Sequence, residues 1–557
     1  MLDINASGSG QTDERGRVSR AAHLIAAMTA LSRLAGLARD AAVSAVFGAG
    51  TGADAFFVAF RIPNLFRRVV AEGATSAAFV PVFTDHLVHG GPGAAARAAG
   101  AVGGAAFLVL TALTLAGMAA SEPLTVLFAP GFTRDEAKLA LTISLTFWTF
   151  PYLLFVGAAA WAMGLLHTFR RFALPAVGPV LMNIAIVVSA LALAPRLGVP
   201  AYGLVAGILV GGVLQFAVQV PELRRLGLRP AMFLDLGHPA VRRSGRMMVA
   251  ALLGGAVYQI NVLVATVFAS LLPEGAVAYL WYADRLFEFP LGIVAVAVGT
   301  AALPSLAGQA RAGHLTAMGE TVVHAMSLTV AFCLPAAVGL WMLSSDITSL
   351  LFERGNFSAQ DTAMTAWALR AFVPGLLGVG LVRVLASAFY ALERPRVPVL
   401  AGLLTLALNA LLGLALMGPG DTSVDWWGGE ATLALGRALH VADLRHAGLA
   451  AATGIAASVN ALVLVVVLRA ALPGLRLSLF ARSAGLHAVA AAVMAAAVAA
   501  WLAEASTWDF AGATAWRVVG GVVIGGSTYL TMALGLGSPE VGELLGSAGL
   551  GRWSRRR

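Results

Sequence analysis

The sequence predicts an all-α polytopic membrane protein with about fourteen transmembrane helices. Hydrophobic residues make up 59% of the 557 residues, not counting the 62 glycines, whereas globular domains reach about 45–50% with glycine included. Charged residues make up only 12%, about half the usual share, and the mean hydropathy is +0.83. This composition is typical of a chain that lies mostly within a lipid bilayer.

Fourteen segments are long and apolar enough to cross the membrane, which takes about 20 residues. They lie near residues 21–48, 54–84, 98–120, 138–166, 174–195, 200–221, 246–271, 276–306, 318–344, 362–391, 397–417, 446–468, 482–503 and 513–537. With this count, the arginine-rich loops, such as HTFRRF after span 4, and the C-terminal RWSRRR fall on one side. Loops on the other side, such as GAGTGAD, are nearly free of arginine. The excess of basic residues in cytoplasmic loops therefore predicts that both termini are cytoplasmic.

Proline spacing indicates an internal repeat. Pro151 and Pro175 lie 24 residues apart, as do Pro374 and Pro398, at an offset of 223 residues. Spans 1–6 and 7–12 are then two copies of one six-helix lobe, related by a pseudo-twofold axis along the membrane normal. Spans 13 and 14 lie outside the repeat. Two such lobes around a central cavity are typical of secondary transporters that work by alternating access.

These boundaries divide the chain into four parts. They are a cytoplasmic tail (1–20), an N-lobe (21–223), a C-lobe (224–470) with a long outer loop at 418–445, and spans 13 and 14 with a basic tail (471–557). The first 20 residues lack the apolar core of a signal peptide, and the single Cys333 excludes an internal disulfide and a thiol metal cluster. Lys138 is the only lysine among 37 basic residues. We attribute the net charge of +9 to cytoplasmic loops rather than to nucleic-acid binding.

Span 1 carries ionisable residues inside the predicted membrane region. Arg33, Gly36 and Asp40 share one helical face through spacings of three and four residues. Arg39 lies about 100° further round the same helix.

Span 2 carries a second set. Asp54, Arg61 and Arg68 recur every seven residues and would form one stripe on a continuous helix. Arg67 and Arg68 could instead lie at the cytoplasmic boundary, or pair with Glu72.

Span 8 holds Asp284, Arg285 and Glu288. A charge at the bilayer centre costs at least about 2.5–3.5 kcal/mol, so these groups line a water-filled cavity, pair with each other or lie at an interface. We favour a functional cavity, although Asp284 and Glu288 could simply neutralise Arg285. Arginine suits phosphate because its planar group binds in bidentate fashion.

Four stretches resemble the MurJ (MviN) family. They are residues 32–83, which begin SRLAGLARD and end AAFVPVF, YADRLFEFPLGIVAVAVGTAALPSL (282–306), LFERGNF (351–357) and HAGLAAATGIAASVNA (446–461). The resemblance implies the fourteen-helix fold of the multidrug/oligosaccharidyl-lipid/polysaccharide exporter superfamily. It also implies an activity, the transfer of the peptidoglycan precursor lipid II from the cytoplasmic to the periplasmic leaflet.

The resemblance also assigns roles to residues. The arginines that would bind the pyrophosphate of lipid II are Arg33, Arg39, Arg67 and Arg285. The resemblance also points to Asp40 and Asp54. Together with the charged residues of spans 2 and 8, the residues expected to line the cavity or act in gating are Asp40, Asp54, Arg61, Glu72, Asp284 and Glu288. The expected location is the bacterial inner membrane, and the expected partners are lipid II, membrane lipids and the cell-wall synthesis machinery, with the chain as a monomer.

Two features depart from the family pattern. Some relatives hold sodium with aspartates of spans 7 and 11, but here the nearest candidates are Asn261, Asn409 and Asn460, so we expect no metal or other cofactor and leave sodium coupling open. The outer loop 418–445 is longer than the family pattern suggests, and we interpret it as a tolerated insertion rather than as a contact surface.

Three alternative functions remain. An exporter of another polyprenyl-linked saccharide or of drugs would share the fold. A drug exporter, however, favours an aromatic, acidic cavity suited to cations, whereas the cavity predicted here contains arginines. A membrane transferase would need paired carboxylates or a His/Asp set, and the ten histidines are scattered without an HxxxH pattern. A regulatory scaffold would need a cytoplasmic domain, which the short predicted inner loops exclude.

Overall fold

The computed structural model describes residues 10–67, 75–228, 232–293, 295–418 and 429–547. Across these ranges the regular structure is helical, apart from one isolated β-bridge between Met417 and Asp443. The predicted all-α class is therefore confirmed.

The chain forms two compact units, which are described separately. Unit 1 comprises Met1–Phe47, Thr51–Phe128 and Phe132–Gln259, and unit 2 comprises Gly48–Gly50, Ala129–Gly131 and Ile260–Arg557. The helices of unit 1 are α1 (Gly10–Phe47), α2 (Thr51–Arg67), α3 (Thr75–Ala119), α4 (Ser121–Phe128), α5 (Glu136–Thr149), α6 (Tyr152–Thr168), α7 (Ala173–Val188), α8 (Ala201–Ala217), α9 (Val220–Arg225) and the first part of α10 (Pro239–Ser270).

Unit 2 contains the rest of α10 and the helices that follow it. They are α11 (Ala276–Ile293), α12 (Ala295–Arg311), α13 (Leu315–Met342), α14 (Ser344–Phe352), α15 (Ala359–Phe372), α16 (Leu376–Ala391), α17 (Arg396–Leu416), α18 (Gly429–Leu439), α19 (Arg445–Ala471), α20 (Leu477–Ala505), α21 (Ala513–Gly535) and α22 (Pro539–Ser547).

Ten segments within the described ranges are long and apolar enough to cross a membrane. They are Phe79–Ala119, Glu136–Thr168, Ala173–Arg196, Ala201–Arg225, Leu315–Met342, Ala359–Ala391, Arg396–Leu416, Arg445–Ala471, Leu477–Ala505 and Ala513–Gly535. Predicted spans 1 and 7 are helical too, in α1 and α10, and the described residues of predicted spans 2 and 8 lie in α2 and α3 and in α11 and α12. The full count of fourteen stays a prediction.

Prolines interrupt two spans that the sequence analysis treated as continuous. The predicted span 138–166 is divided between α5 and α6, with Pro151 at the junction. The predicted span 362–391 is divided between α15 and α16 by a 3₁₀ turn that contains Pro374. A proline inside a helix removes a backbone donor and clashes with the preceding turn, which explains both breaks.

Residues 75–119 comprise two helical segments that meet directly at Gly91, where the sequence analysis predicted a connection between the spans 54–84 and 98–120. Within α3 only Gly91 departs from helical geometry, with a φ of 72°. Glycine adopts this left-handed conformation without the steric cost that a side chain brings. The two segments of α3 are therefore joined through Gly91 alone, without a longer loop.

Residues 226–228 and 232–243, near the predicted lobe boundary at 223–224, pack against other parts of unit 1. The backbone N–H of Phe233 donates to the carbonyl of Gly100, and Leu228 and Ala240 lie in a buried cluster with Trp161. Contacts therefore assign the chain to unit 1 as far as Gln259, within α10.

Some predictions fall outside the described residues. These are Glu72, Arg68, the middle of the outer loop (419–428), the C-terminal basic residues (548–557) and residues 1–9 of the predicted tail. Helix α1 begins at Gly10 and so includes the second half of that tail.

Candidate functional site

In unit 1, Arg39 and Asp40 form an ion pair on α1. The Arg39 Nη2 atom lies 2.8 Å from Asp40 Oδ1 and 3.0 Å from Oδ2, and Nε lies 3.0 Å from Oδ1. The Asp40 side chain is only 2% exposed. Arg39 Nη1 also donates to the amide oxygen of Asn183 on α7, at 3.2 Å, and this amide donates in turn to the carbonyl of Ser32. These bonds tie α1 to α7.

The pairing uses most of the donors of Arg39. A guanidinium group has five N–H donors; the contacts to Asp40 and Asn183 engage the Nε–H and one N–H each of Nη1 and Nη2, and leave two. To bind a phosphate group, Arg39 would use these two donors or exchange some of its bonds. Arg33, the other candidate arginine of α1, is half-buried.

A second ion pair in unit 1 joins Asp54 of α2 to Lys138 of α5. Lys138 Nζ lies 2.8 Å from Asp54 Oδ2, and the side chains are 9% and 2% exposed. The ammonium group also lies 4.2 Å from the ring centroid of Phe132, in cation–π geometry. Each residue belongs to the first turn of its helix, so the contact joins the two helix starts.

Helix electrostatics favours one side of this pair and opposes the other. A carboxylate near a helix N-terminus is stabilised by the helix dipole, and a cation there is destabilised. At the start of α5 the carboxylate of Asp135 caps the helix and accepts from the backbone N–H of Lys138 at 2.9 Å. Asp54 and Asp135 together offset the unfavourable position of the lysine.

Lys138 was not among the predicted site residues. Its partner lies 84 residues earlier in the chain, and no local pattern predicts such a contact. Composition offered the one clue to Lys138. Arginine occupies 36 of the 37 basic positions, and Lys138 is the exception.

The remaining candidates of α2 lie along the same helix. Arg61 and Arg67 are half-buried, and Arg67 Nε donates to the side-chain oxygen of Asn64 at 2.6 Å. The possible pairing of Arg67 with Glu72 stays untested because Glu72 lies outside the described residues.

In unit 2, Arg285 of α11 lies between two carboxylates and an indole ring. Its Nη2 atom is 3.2 Å from Asp284 Oδ2, and Nη1 is 3.3 Å from Glu288 Oε2. The guanidinium carbon lies 4.9 Å from the ring centroid of Trp281. The three charged side chains are 26–38% exposed. The structure thus brings together all three charged candidates of span 8. Asp284 and Glu288 both pair with Arg285, as expected if the two carboxylates neutralise this arginine.

Two of the three asparagines considered for sodium, Asn261 and Asn409, are joined by a hydrogen bond, whereas the Oδ1 atom of Asn460 is buried without a hydrogen-bond partner among the described residues. The Asn409 amide donates to Asn261 Oδ1 at 2.7 Å, and the Thr453 hydroxyl donates to Asn409 Oδ1 at 3.4 Å. The Thr453 hydroxyl has one proton and lies closer to the Leu449 carbonyl, at 3.0 Å. The amide oxygen of Asn261 therefore accepts a bond from Asn409, and neither α10 nor α17 contains a carboxylate. These residues do not fit a sodium site that relies on aspartates.

The ion pairs inside apolar helices and the ten membrane-length segments define a polytopic membrane protein. Its fold is similar to that of a multidrug resistance MATE family transporter of the MOP superfamily in an inward-facing conformation. That similarity has a TM-score of 0.62 at 12% identity, over 82% of this chain and 95% of the other.

The chain belongs to the lipid II flippase MurJ family, whose family model matches residues 43–519. It is 35% identical over 454 residues to the lipid II flippase MurJ of Burkholderia cenocepacia, which covers 81% of this chain and 83% of the relative. It is 34% identical over 483 residues to the probable lipid II flippase MurJ of Bdellovibrio bacteriovorus, covering 86% and 88%. A solved structure of lipid II flippase MurJ in an inward closed conformation matches with a TM-score of 0.73 at 23% identity, over 92% of this chain and 98% of the other.

Proposed function

We propose that this protein is a lipid II flippase of the bacterial inner membrane. It moves the undecaprenyl-pyrophosphate-linked peptidoglycan precursor from the cytoplasmic to the periplasmic leaflet by alternating access. The observation that carries the proposal is family membership over residues 43–519, within which the curated relatives are lipid II flippases. Like them it is a transporter rather than an enzyme.

The proposed substrate group is the pyrophosphate, bound by Arg33, Arg39, Arg67 and Arg285. Arginine forms charge-assisted, bidentate bonds to phosphate oxygens. Support comes from the pre-ordering of two of these side chains, Arg39 by Asp40 and Asn183, and Arg285 by its two carboxylates. A side chain already held in one geometry loses less entropy when it binds a ligand.

We propose further that the fold comprises fourteen membrane helices, in two six-helix lobes and two C-terminal helices around a central cavity. The similarity to the solved flippase over 92% of the chain supports this arrangement. Both termini are cytoplasmic in this proposal, which a reporter fused to either end would test. An enzyme active only in the periplasm, fused there, should stay inactive.

The first test is a depletion rescue. The chain is expressed in a bacterium depleted of its own lipid II flippase, and the lipid II accessible at the outer leaflet is measured. The native chain should restore outer-leaflet lipid II. A well-expressed native chain that restores none would contradict the substrate assignment, and other polyprenyl-linked saccharides would become the candidates.

Variants in the same assay test the arginines. Arg285→Ala should lose transport, whereas Arg394→Ala, at an exposed position in the turn after α16, should keep it. Arg39→Ala leaves the Asp40 carboxylate buried and unpaired, so its loss of activity could reflect misfolding. The double variant Arg39→Gln/Asp40→Asn removes that charge. If the double variant is folded but inactive, the Arg39–Asp40 pair takes part in transport; if it transports normally, the pair is structural only.

A further inference from the structure

A single polar side chain in α7 contacts one of the arginines of α1 that are proposed to bind pyrophosphate. Asn183 is the only residue of α7 (Ala173–Val188) with a polar side chain, and it is 5% exposed. A buried amide in an apolar membrane segment is costly unless its polar atoms are hydrogen-bonded. Here Oδ1 accepts from Arg39 Nη1 and Nδ2 donates to the Ser32 carbonyl, each at 3.2 Å. Both ends of the amide therefore bind α1.

The orientation of this amide follows from its two partners. A guanidinium group contains only donors, and a backbone carbonyl only accepts. The amide oxygen must therefore face Arg39 and the amide nitrogen must face Ser32, because the reversed orientation would place like groups against each other at both ends. The two partners lie seven residues apart on α1, which is about two helical turns. The Ser32 carbonyl thus holds Asn183 as a fixed acceptor for Arg39.

Asn183 and Asp40 together fix the guanidinium group of Arg39 at all three of its nitrogen atoms. Asp40 Oδ1 lies 3.0 Å from Nε and 2.8 Å from Nη2, and Asn183 engages Nη1. A planar group held at three atoms keeps one orientation. Its remaining donors, one N–H on Nη1 and one on Nη2, then point in fixed directions. Such N–H groups form the charge-assisted bonds with which arginine binds phosphate.

The lack of charge on Asn183 suits an anionic ligand. Arg39 and Asp40 carry opposite formal charges, and the amide adds none, so the charges of the three side chains cancel. An aspartate at residue 183 would also accept from Arg39, but it would leave a net negative charge that repels pyrophosphate. An apolar side chain would leave the charge unchanged and remove the acceptor. Asparagine thus orients Arg39 without weakening its attraction for an anion.

We propose that Asn183 is a positioning residue for substrate binding, which holds Arg39 so that the remaining donors of the guanidinium group meet the pyrophosphate. Asn183 does not contact the substrate itself, since its two polar atoms are directed at α1. The inference rests on the proposed function, because it needs Arg39 to bind pyrophosphate. A side chain that is already oriented loses less entropy when it binds a ligand, so the expected effect is on affinity.

The test measures lipid II binding by the full chain, with bound lipid counted by native mass spectrometry, and lipid II transport by the same protein in liposomes. Asn183→Leu keeps the approximate size of the side chain but can neither accept nor donate. It should weaken binding about tenfold or more, since it removes a hydrogen bond to a charged group. In transport, the lipid II concentration at half-maximal rate should rise while the maximal rate is kept, as for a loss of uniform binding.

Asn183→Asp is the second variant, since it has the shape of asparagine and keeps the acceptor for Arg39. It should weaken lipid II binding through its negative charge, and it carries the test if Asn183→Leu does not fold. Native-like binding by either folded variant would overturn the proposal.

Gln219→Leu is the matched control. Gln219 is also a buried amide of unit 1, 2% exposed, and its Nε2 donates to the carbonyls of Ala159 and Gln215. Its Oε1 has no hydrogen-bond partner among the described residues, so no described arginine is held by it. Gln219→Leu and Asn183→Leu should both lower the unfolding temperature, but only Asn183→Leu should weaken lipid II binding. Equal losses of binding would show that helix packing alone sets the affinity and would overturn the proposal.

A double-mutant cycle separates this inference from the proposed function. The Arg39→Gln/Asp40→Asn background lacks the arginine, so it should bind lipid II more weakly than the native chain, and Asn183→Leu should weaken that binding no further. A further tenfold loss would show that Asn183 acts without Arg39 and would overturn the inference alone, whereas native-like binding by the background would remove Arg39 from the site and the inference with it. A native chain that binds no lipid II would instead overturn the proposed function.

Discussion

Replacing Lys138 by methionine should destabilise the protein strongly, because it leaves the Asp54 carboxylate buried without its partner. The pair is short, at 2.8 Å, and the two side chains are 9% and 2% exposed. Removing one member of a buried pair costs about 3–5 kcal/mol. The lost contact between the ammonium group and the Phe132 ring adds about 0.5–2 kcal/mol.

The magnitude is measured as the free energy of unfolding in detergent, in a double-mutant cycle. Asp54→Asn/Lys138→Met should recover much of the loss, because no charge then remains buried, so the two single changes should couple. Lys138→Arg keeps the charge but adds volume at a packed site, at a cost of about 1–3 kcal/mol. We expect transport activity to fall with each single variant.

An exposed pair of nearly the same length serves as the control. Arg243 Nη1 lies 2.7 Å from Asp85 Oδ2, but the two side chains are 50% and 42% exposed. Water screens such a pair, so Arg243→Met should have a far smaller effect than Lys138→Met. Equal effects at the two sites, or a Lys138→Met cost below about 1 kcal/mol, as for a surface pair, would refute the argument from burial.

Three further predictions concern packing and burial. Gly131→Val should lower the unfolding temperature, since a Cβ atom there would lie 1.9 Å from a backbone carbonyl oxygen. Gly526→Ala is the control, because a Cβ atom there would meet open space. Equal unfolding temperatures for the two variants would contradict the prediction. Tyr529→Phe should cost about 1–3 kcal/mol of unfolding free energy by leaving the buried imidazole N–H of His487 without its acceptor, and a change of a few tenths would argue against that bond. Cys333 is fully buried, so a maleimide should label it only after denaturation, and rapid labelling of the native protein would disprove its burial.

The sequence predicts the helical class well, because hydropathy reports directly on membrane burial. It predicts the helix ends less well. Pro151 and Pro374 were recognised through their spacing, but their position inside a hydrophobic run concealed the breaks they cause. Helices α4 and α14, of 8 and 9 residues, were missed because they are much shorter than a membrane span.

For the candidate site, the sequence identifies the ionisable residues but not all of their partners. Helical geometry places Arg39 about 100° from its neighbour Asp40, yet the long arginine side chain turns back to form three bonds with it. Asn183 and Lys138 reach their partners across 144 and 84 residues. Such contacts depend on how helices pack, which one sequence does not reveal.

The position of Lys138 also gives the protein a built-in spectroscopic probe. Because the chain has one lysine, isotope labelling of that amino acid yields a single ammonium resonance. This nitrogen lies where the starts of α2 and α5 meet. Its chemical shift and its exchange with water would therefore report, in the native chain and without any substitution, whether those two helix ends separate while substrate is carried.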